Sequence, residues 1–167
     1  MDIRKIIKKI LREGYKNKIY DDDKNINWDL IDVTGGKVKC YHYSGENLDD
    51  FISIKGTSNL YSNQEYRSWG RSRAFFYLTK NGVDYDTGPP SNLYLYVSYI
   101  PLEQIYDINK NHNDYSFSSL EEAYQKTSEG GYNSWVYNWG KNPNVPILVS
   151  FVNVKISEKY YKGKRIF

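Results

Sequence analysis

The chain has 167 residues, 26% charged and 40% hydrophobic, with a mean hydropathy of -0.74 and a formal net charge of +3. That length suits one domain, 1–167, around a single core, and the mild basicity falls short of what a protein devoted to duplex nucleic acid carries. A lone cysteine, Cys40, excludes an intrachain disulfide and a multi-cysteine zinc site, and two histidines leave little for a histidine-based one, which implies a reducing cytosol and no structural metal. No apolar run approaches the roughly 20 residues that span a bilayer, so a soluble, cytoplasmic protein without a membrane span is expected. Eighteen tyrosines supply apolar area while keeping hydroxyls that need partners, and their rings are suited to lining a groove.

Ile3, Ile6, Ile7, Ile10 and Leu11 recur at helical spacing, with Arg4, Lys5, Lys8, Lys9 and Arg12 opposite and Gly14 as a stop. This predicts an amphipathic helix over 1–14, docking one apolar stripe on the core; basic helices of this kind also bind membrane surfaces and acidic partners. Residues 15–37 are polar and irregular and read as a connecting arm. Its acidic run, Asp21 to Asp23, lacks the spaced ligands of a calcium loop and reads as solvated charge.

A core over 38–157 follows. Strands are predicted at VKCYHY (38–43), FISI (51–54), RAFFYLT (73–79), LYLYVSYI (93–100), SWVY (134–137) and ILVSFVNV (147–154). In the fourth, Leu93, Leu95, Val97 and Tyr99 alternate with Tyr94, Tyr96, Ser98 and Ile100, which suits a strand covered on both faces. Ser118 and Ser119 ahead of Glu121 and Glu122, a stripe of Leu120, Ala123, Tyr124 and Thr127, and a Gly130–Gly131 stop predict one further helix. Many strands and few helices argue for an α+β fold with a mostly antiparallel, bent or split sheet.

The chain has no G-x-x-x-x-G-K-[ST] phosphate loop, no G-x-G-x-x-G after a strand, no H-E-x-x-H and no G-x-S-x-G. Cys40 and His42, two apart on a strand, share a face without standing as nucleophile and base. What remains is an ordered set: YHYSGENLDDFISIKG around His42, WGRSRAFFYLT, and GGYNSWVYN followed by VPILVSFVNVKI. In order and spacing this set resembles the ADP-ribosyltransferase superfamily, particularly its small bacterial and phage-borne members, over residues 38–157. A histidine on the first strand, an aromatic second strand, and a glycine turn before a terminal strand carry the resemblance. The interval from His42 to Phe75 is comparable to that between the histidine and the aromatic residue of the superfamily's histidine-tyrosine-glutamate type.

The resemblance implies an NAD-binding protein that cleaves the nicotinamide glycosidic bond and transfers ADP-ribose to a macromolecular, most plainly a protein, target. It implies that His42 contacts ribose hydroxyls, that Phe75 or Tyr77 stacks near the nicotinamide, and that Tyr43, Ser44, Ser72, Tyr132 and Asn133 help to bind the cofactor. Arg71 and Arg73 would reach the pyrophosphate, since guanidinium forks match phosphate oxygens. His42 and the Arg71–Tyr77 segment are then expected to line one cleft. The carboxylate that stabilises the oxocarbenium-like transition state departs from the pattern, because Asn144 and Pro146 stand where an acid belongs. Glu129 is the substitute the sequence offers first, ahead of Glu65 and Glu158. Two further readings stay open: a relative that binds a nucleotide or a host protein without turnover, as a phage anti-defence factor would, and a single-stranded nucleic-acid binder using its tyrosines.

Overall fold

The computed structural model describes residues 26–53, 73–79, 94–108, 120–138 and 145–167. The expected helix at 1–14, the arm as far as residue 25, and the candidates Glu65, Arg71, Ser72 and Asn144 lie outside them. Eleven strands form among the described residues. These are β1 (Val33–Thr34), β2 (Lys37–Ser44), β3 (Phe51–Ile52), β4 (Ala74–Tyr77), β5 (Tyr94–Pro101), β6 (Ile105–Asp107), β7 (Ser134–Asn138), β8 (Pro146–Ser150), β9 (Val154–Lys155), β10 (Glu158–Tyr161) and β11 (Lys164–Arg165). The central ones, β4 and β8, are buried at every position. Among the described residues one α-helix has its full bounds, α1 (Leu120–Glu129), between β6 and β7 in the chain.

Nine strands form one sheet in the order β11, β10, β5, β2, β4, β8, β7, β6, with β1 folded onto β2, while β3 and β9 pair separately. All pairings are antiparallel except β6 with β7. The mixed α+β fold built mostly of strands is therefore the one the sequence predicts. The register is long between β2 and β5, from Lys37↔Pro101 to Ser44↔Tyr94, and runs from Ala74↔Ser150 to Tyr77↔Ile147 between β4 and β8. Between β2 and β4 it shrinks to one bridge, Tyr41↔Tyr77. The sheet is two well-paired halves joined by a seam.

Because directly opposed residues share a face, this register sorts the core. On one face Val38, Cys40, Phe76, Tyr96 and Leu148 pack under Ile26, Ile31, Ile52, Val154 and Ile156, supplied by the segment before β1 and by the β3–β9 pair. On the other, Tyr41, Phe75, Tyr77, Val97, Tyr137, Ile147 and Val149 form a second cluster. Burying each such aliphatic side chain contributes about 1.5–3 kcal/mol, so the seam lies between two cores that hold it from either side.

Helix α1 lays Ala123 against Trp135, Tyr106 and Ile108. It ends in a Schellman arrangement: Tyr132 N–H donates to the Thr127 carbonyl at 3.0 Å and Gly131 N–H to that of Ser128 at 3.0 Å. Gly131 sits at φ +90, where a side chain would be strained. The strand predicted over 147–154 is broken. Ser150 Oγ accepts from Val152 N–H at 3.3 Å and donates to its carbonyl at 2.9 Å, a side-chain turn that ends β8 and sends β9 to the small sheet.

Candidate functional site

His42 lies on β2 beside the seam. Its ring faces the first core, 5.6 Å from Phe76 and 6.4 Å from Tyr96 between centroids, and is 6% exposed. Nδ1 lies 2.8 Å from the Phe75 carbonyl oxygen. A carbonyl only accepts, so Nδ1 carries the proton and donates. The imidazole thus takes up a backbone acceptor just past the Tyr41↔Tyr77 bridge. Burial lowers its pKa below the ordinary 6.5, with the Phe75 bond opposing. In the resulting neutral tautomer Nε2 is a bare lone pair, buried and without a hydrogen-bond partner. Buried polar atoms are nearly always satisfied, which makes Nε2 an acceptor suited to a ligand hydroxyl.

The turn after β2 closes over this face. Tyr96, opposite His42 in the register, accepts from Leu48 N–H at 2.8 Å and donates to the Glu46 carbonyl at 2.5 Å. Lys159, opposite Tyr96 on β10, donates from Nζ to Asn47 Oδ1 at 3.0 Å. Ser98 Oγ, on the same face of β5, is buried without a partner. Phe76, Tyr96, Ser98 and Lys159 were not singled out from the sequence. The Tyr94, Tyr96, Ser98, Ile100 alternation would have found two of them, Tyr96 and Ser98, once β5 was known to pair with β2.

The structure does not bring the predicted set together. Phe75 and Tyr77, expected beside His42, point to the other face, because Tyr77 opposes Tyr41 and a strand alternates with period two; the ring next to His42 is that of Phe76. Arg73 is on the Phe75 side as well, its guanidinium 5.4 Å from the Phe75 ring, so it does not reach a ligand held by His42. Tyr43 packs with that second cluster. Ser44 is on the His42 face at the end of β2, where its Oγ accepts from Glu46 N–H at 3.1 Å.

Glu129 is exposed at the end of α1, accepting from Gln125 Nε2 at 3.3 Å. That helix packs on Trp135, which opposes Val149 and so belongs to the Phe75 face; Glu129 is not a partner for His42. Tyr132 meets Tyr106 edge-on at 5.2 Å and Asn133 Nδ2 donates to Gln104 Oε1 at 3.0 Å, both at the β6–β7 edge of the sheet. Glu158 is on the Phe75 face too, opposite Val97, with Tyr99 and Tyr160 hydroxyls donating to its two oxygens at 3.2 and 2.5 Å. The Tyr160 bond, joined by that of Tyr99, lowers its pKa below the ordinary carboxylate value despite some burial. Cys40 shares the His42 face but is fully buried, and burial pushes its thiol far above the ordinary range, so it is no nucleophile.

Among the described residues no helix is long and apolar enough to cross a membrane, and no three His, Cys, Asp or Glu side chains gather as a metal site. No family model matches the chain, and no curated protein or solved structure matches it.

Proposed function

We propose that this chain is an NAD-binding protein of the ADP-ribosyltransferase type, in which His42 holds a ribose of the dinucleotide through Nε2. One observation carries the reading: a neutral imidazole, fixed by its Phe75 bond, keeps a buried acceptor unused at the seam of the sheet. A ribose hydroxyl is the complementary donor. Further support comes from the arrangement of the segments that carry the resemblance. The strands bearing His42, Phe76 and Leu148 are neighbours at the centre of the sheet.

Transfer of ADP-ribose to a macromolecule needs, besides the ribose contact, a carboxylate to stabilise the developing cation. The position of Glu129, exposed on a helix that serves the other face, favours a second reading: a nucleotide-binding protein without turnover, acting by sequestering its ligand or by blocking a host protein, as a phage anti-defence factor does.

Incubation of the full chain with NAD, followed by mass spectrometry of nicotinamide and of ADP-ribosylated proteins, separates the two. Nicotinamide release together with ADP-ribosylated protein establishes the transferase; thermal stabilisation by NAD without release establishes the binding protein. His42→Asn keeps a donor near the Phe75 carbonyl and removes Nε2, so it should abolish either signal in a folded protein. Absence of both signals from the wild type rejects the reading.

A further inference from the structure

We infer that Lys159 is the anion-binding member of the His42 site, so that the site takes a ligand carrying a phosphate or pyrophosphate beside its hydroxyls; this rests on the nucleotide reading above. The register puts His42, Tyr96 and Lys159 directly opposite one another on β2, β5 and β10. Opposed residues share a face, so the three form a row about 10 Å long, two strand spacings, on the face that holds the unused Nε2.

Lys159 is a buried cation, 9% exposed. Ammonium groups in such places are normally paired with a carboxylate, yet among the described residues Lys159 makes no ion pair. Its Nζ has one hydrogen bond, to the neutral Asn47 amide oxygen at 3.0 Å, and lies 5.9 Å from the Tyr96 ring centroid. Glu46 and Asp49 are on the same turn as Asn47, and neither is hydrogen-bonded to Lys159; Glu46 bonds through its backbone, the carbonyl to Tyr96 and the N–H to Ser44. Asn47 is exposed, so its amide oxygen is readily replaced by an anionic one.

The row therefore offers an acceptor at one end and, at the other, a cation whose one hydrogen bond is to a neutral amide, with the buried Ser98 hydroxyl on the same face. A sugar phosphate is complementary to it: hydroxyls donate to Nε2, and phosphate oxygens accept charge-assisted bonds from the ammonium. This assigns to Lys159 the part that the resemblance gave to Arg71 and Arg73.

Calorimetric titration of the full chain with ADP-ribose and with adenosine, which lacks phosphate, tests the assignment. Lys159→Met should weaken ADP-ribose roughly ten- to hundredfold and leave adenosine within about twofold, while Lys159→Arg retains most of the affinity. Asn47→Asp, on an exposed turn where folding is not at issue, should do the same as Lys159→Met by giving the ammonium an internal anion. If ADP-ribose binds the wild type and neither Lys159→Met nor Asn47→Asp changes its preference over adenosine, the inference is wrong and the nucleotide reading stands. If neither ligand nor NAD binds the wild type, both fall.

Discussion

His42 and Phe75 are joined side chain to backbone across the seam of the sheet, Nδ1–H donating to the carbonyl at 2.8 Å. The bond makes His42 a structural tie, while the proposed function gives its other ring nitrogen to a ligand, and substitutions separate the two roles. His42→Ala removes the donor to Phe75 and leaves a space in the core, and should cost about 2–4 kcal/mol in urea denaturation. His42→Asn should cost clearly less, because its amide can still donate to Phe75.

The buried imidazole also sets a pH response. Its folded-state pKa lies below the ordinary value of 6.5 because burial disfavours the cation. At and below pH 6.5 the unfolded chain therefore binds more protons than the folded one, and stability falls as the pH is lowered. Thermal melts between pH 7.5 and 5 should show this decline, and His42→Asn should make the profile flatter over that window. An unchanged slope would assign the decline to other groups.

Tyr96 fastens the turn after β2 through its hydroxyl alone, which serves both Leu48 N–H and the Glu46 carbonyl. Tyr96→Phe keeps the ring between His42 and Lys159 and removes both bonds. Hydrogen exchange at Leu48 should accelerate markedly while amides of β5 retain their protection, with a global cost of about 1–2 kcal/mol. Equal acceleration across β5 would show that the hydroxyl supports the sheet rather than the turn.

Helix α1 is tied to the sheet by Trp135 Nε1–H, which donates to Thr127 Oγ1 at 2.9 Å while that hydroxyl itself donates to the Ala123 carbonyl at 2.8 Å. Thr127→Val preserves shape and strands the indole N–H in the core. A loss of about 1–3 kcal/mol is expected, with a change in tryptophan emission as the second readout. A neutral result would mean the indole finds another acceptor.

The strands legible in the sequence were those whose apolar and aromatic residues are covered on both faces, such as VKCYHY and LYLYVSYI. Helix α1 was legible because its stripe and its Gly130–Gly131 stop are both local signals. The β10–β11 hairpin was missed. Its turn is Lys162–Gly163, with Lys162 at φ 48, where an Asn or Asp would have announced the same backbone. His42 was legible as a residue out of place in an apolar run. Its companions were not, because assigning Phe76 rather than Phe75 to its face depends on the Tyr41↔Tyr77 register, and a shift of one residue exchanges the faces. The Lys159 position needs a third strand paired to the second, a relationship between residues far apart in the chain that no local pattern encodes.

The single bridge between β2 and β4 has a mechanical consequence. Long ladders hold neighbouring strands by many backbone bonds at once, whereas this junction has one bridge with the His42 tie beside it. The angle between the two halves is therefore set less by backbone pairing than by the side chains that share a core across the seam, Cys40 with Phe76 on one face and Tyr41 with Phe75 and Tyr77 on the other.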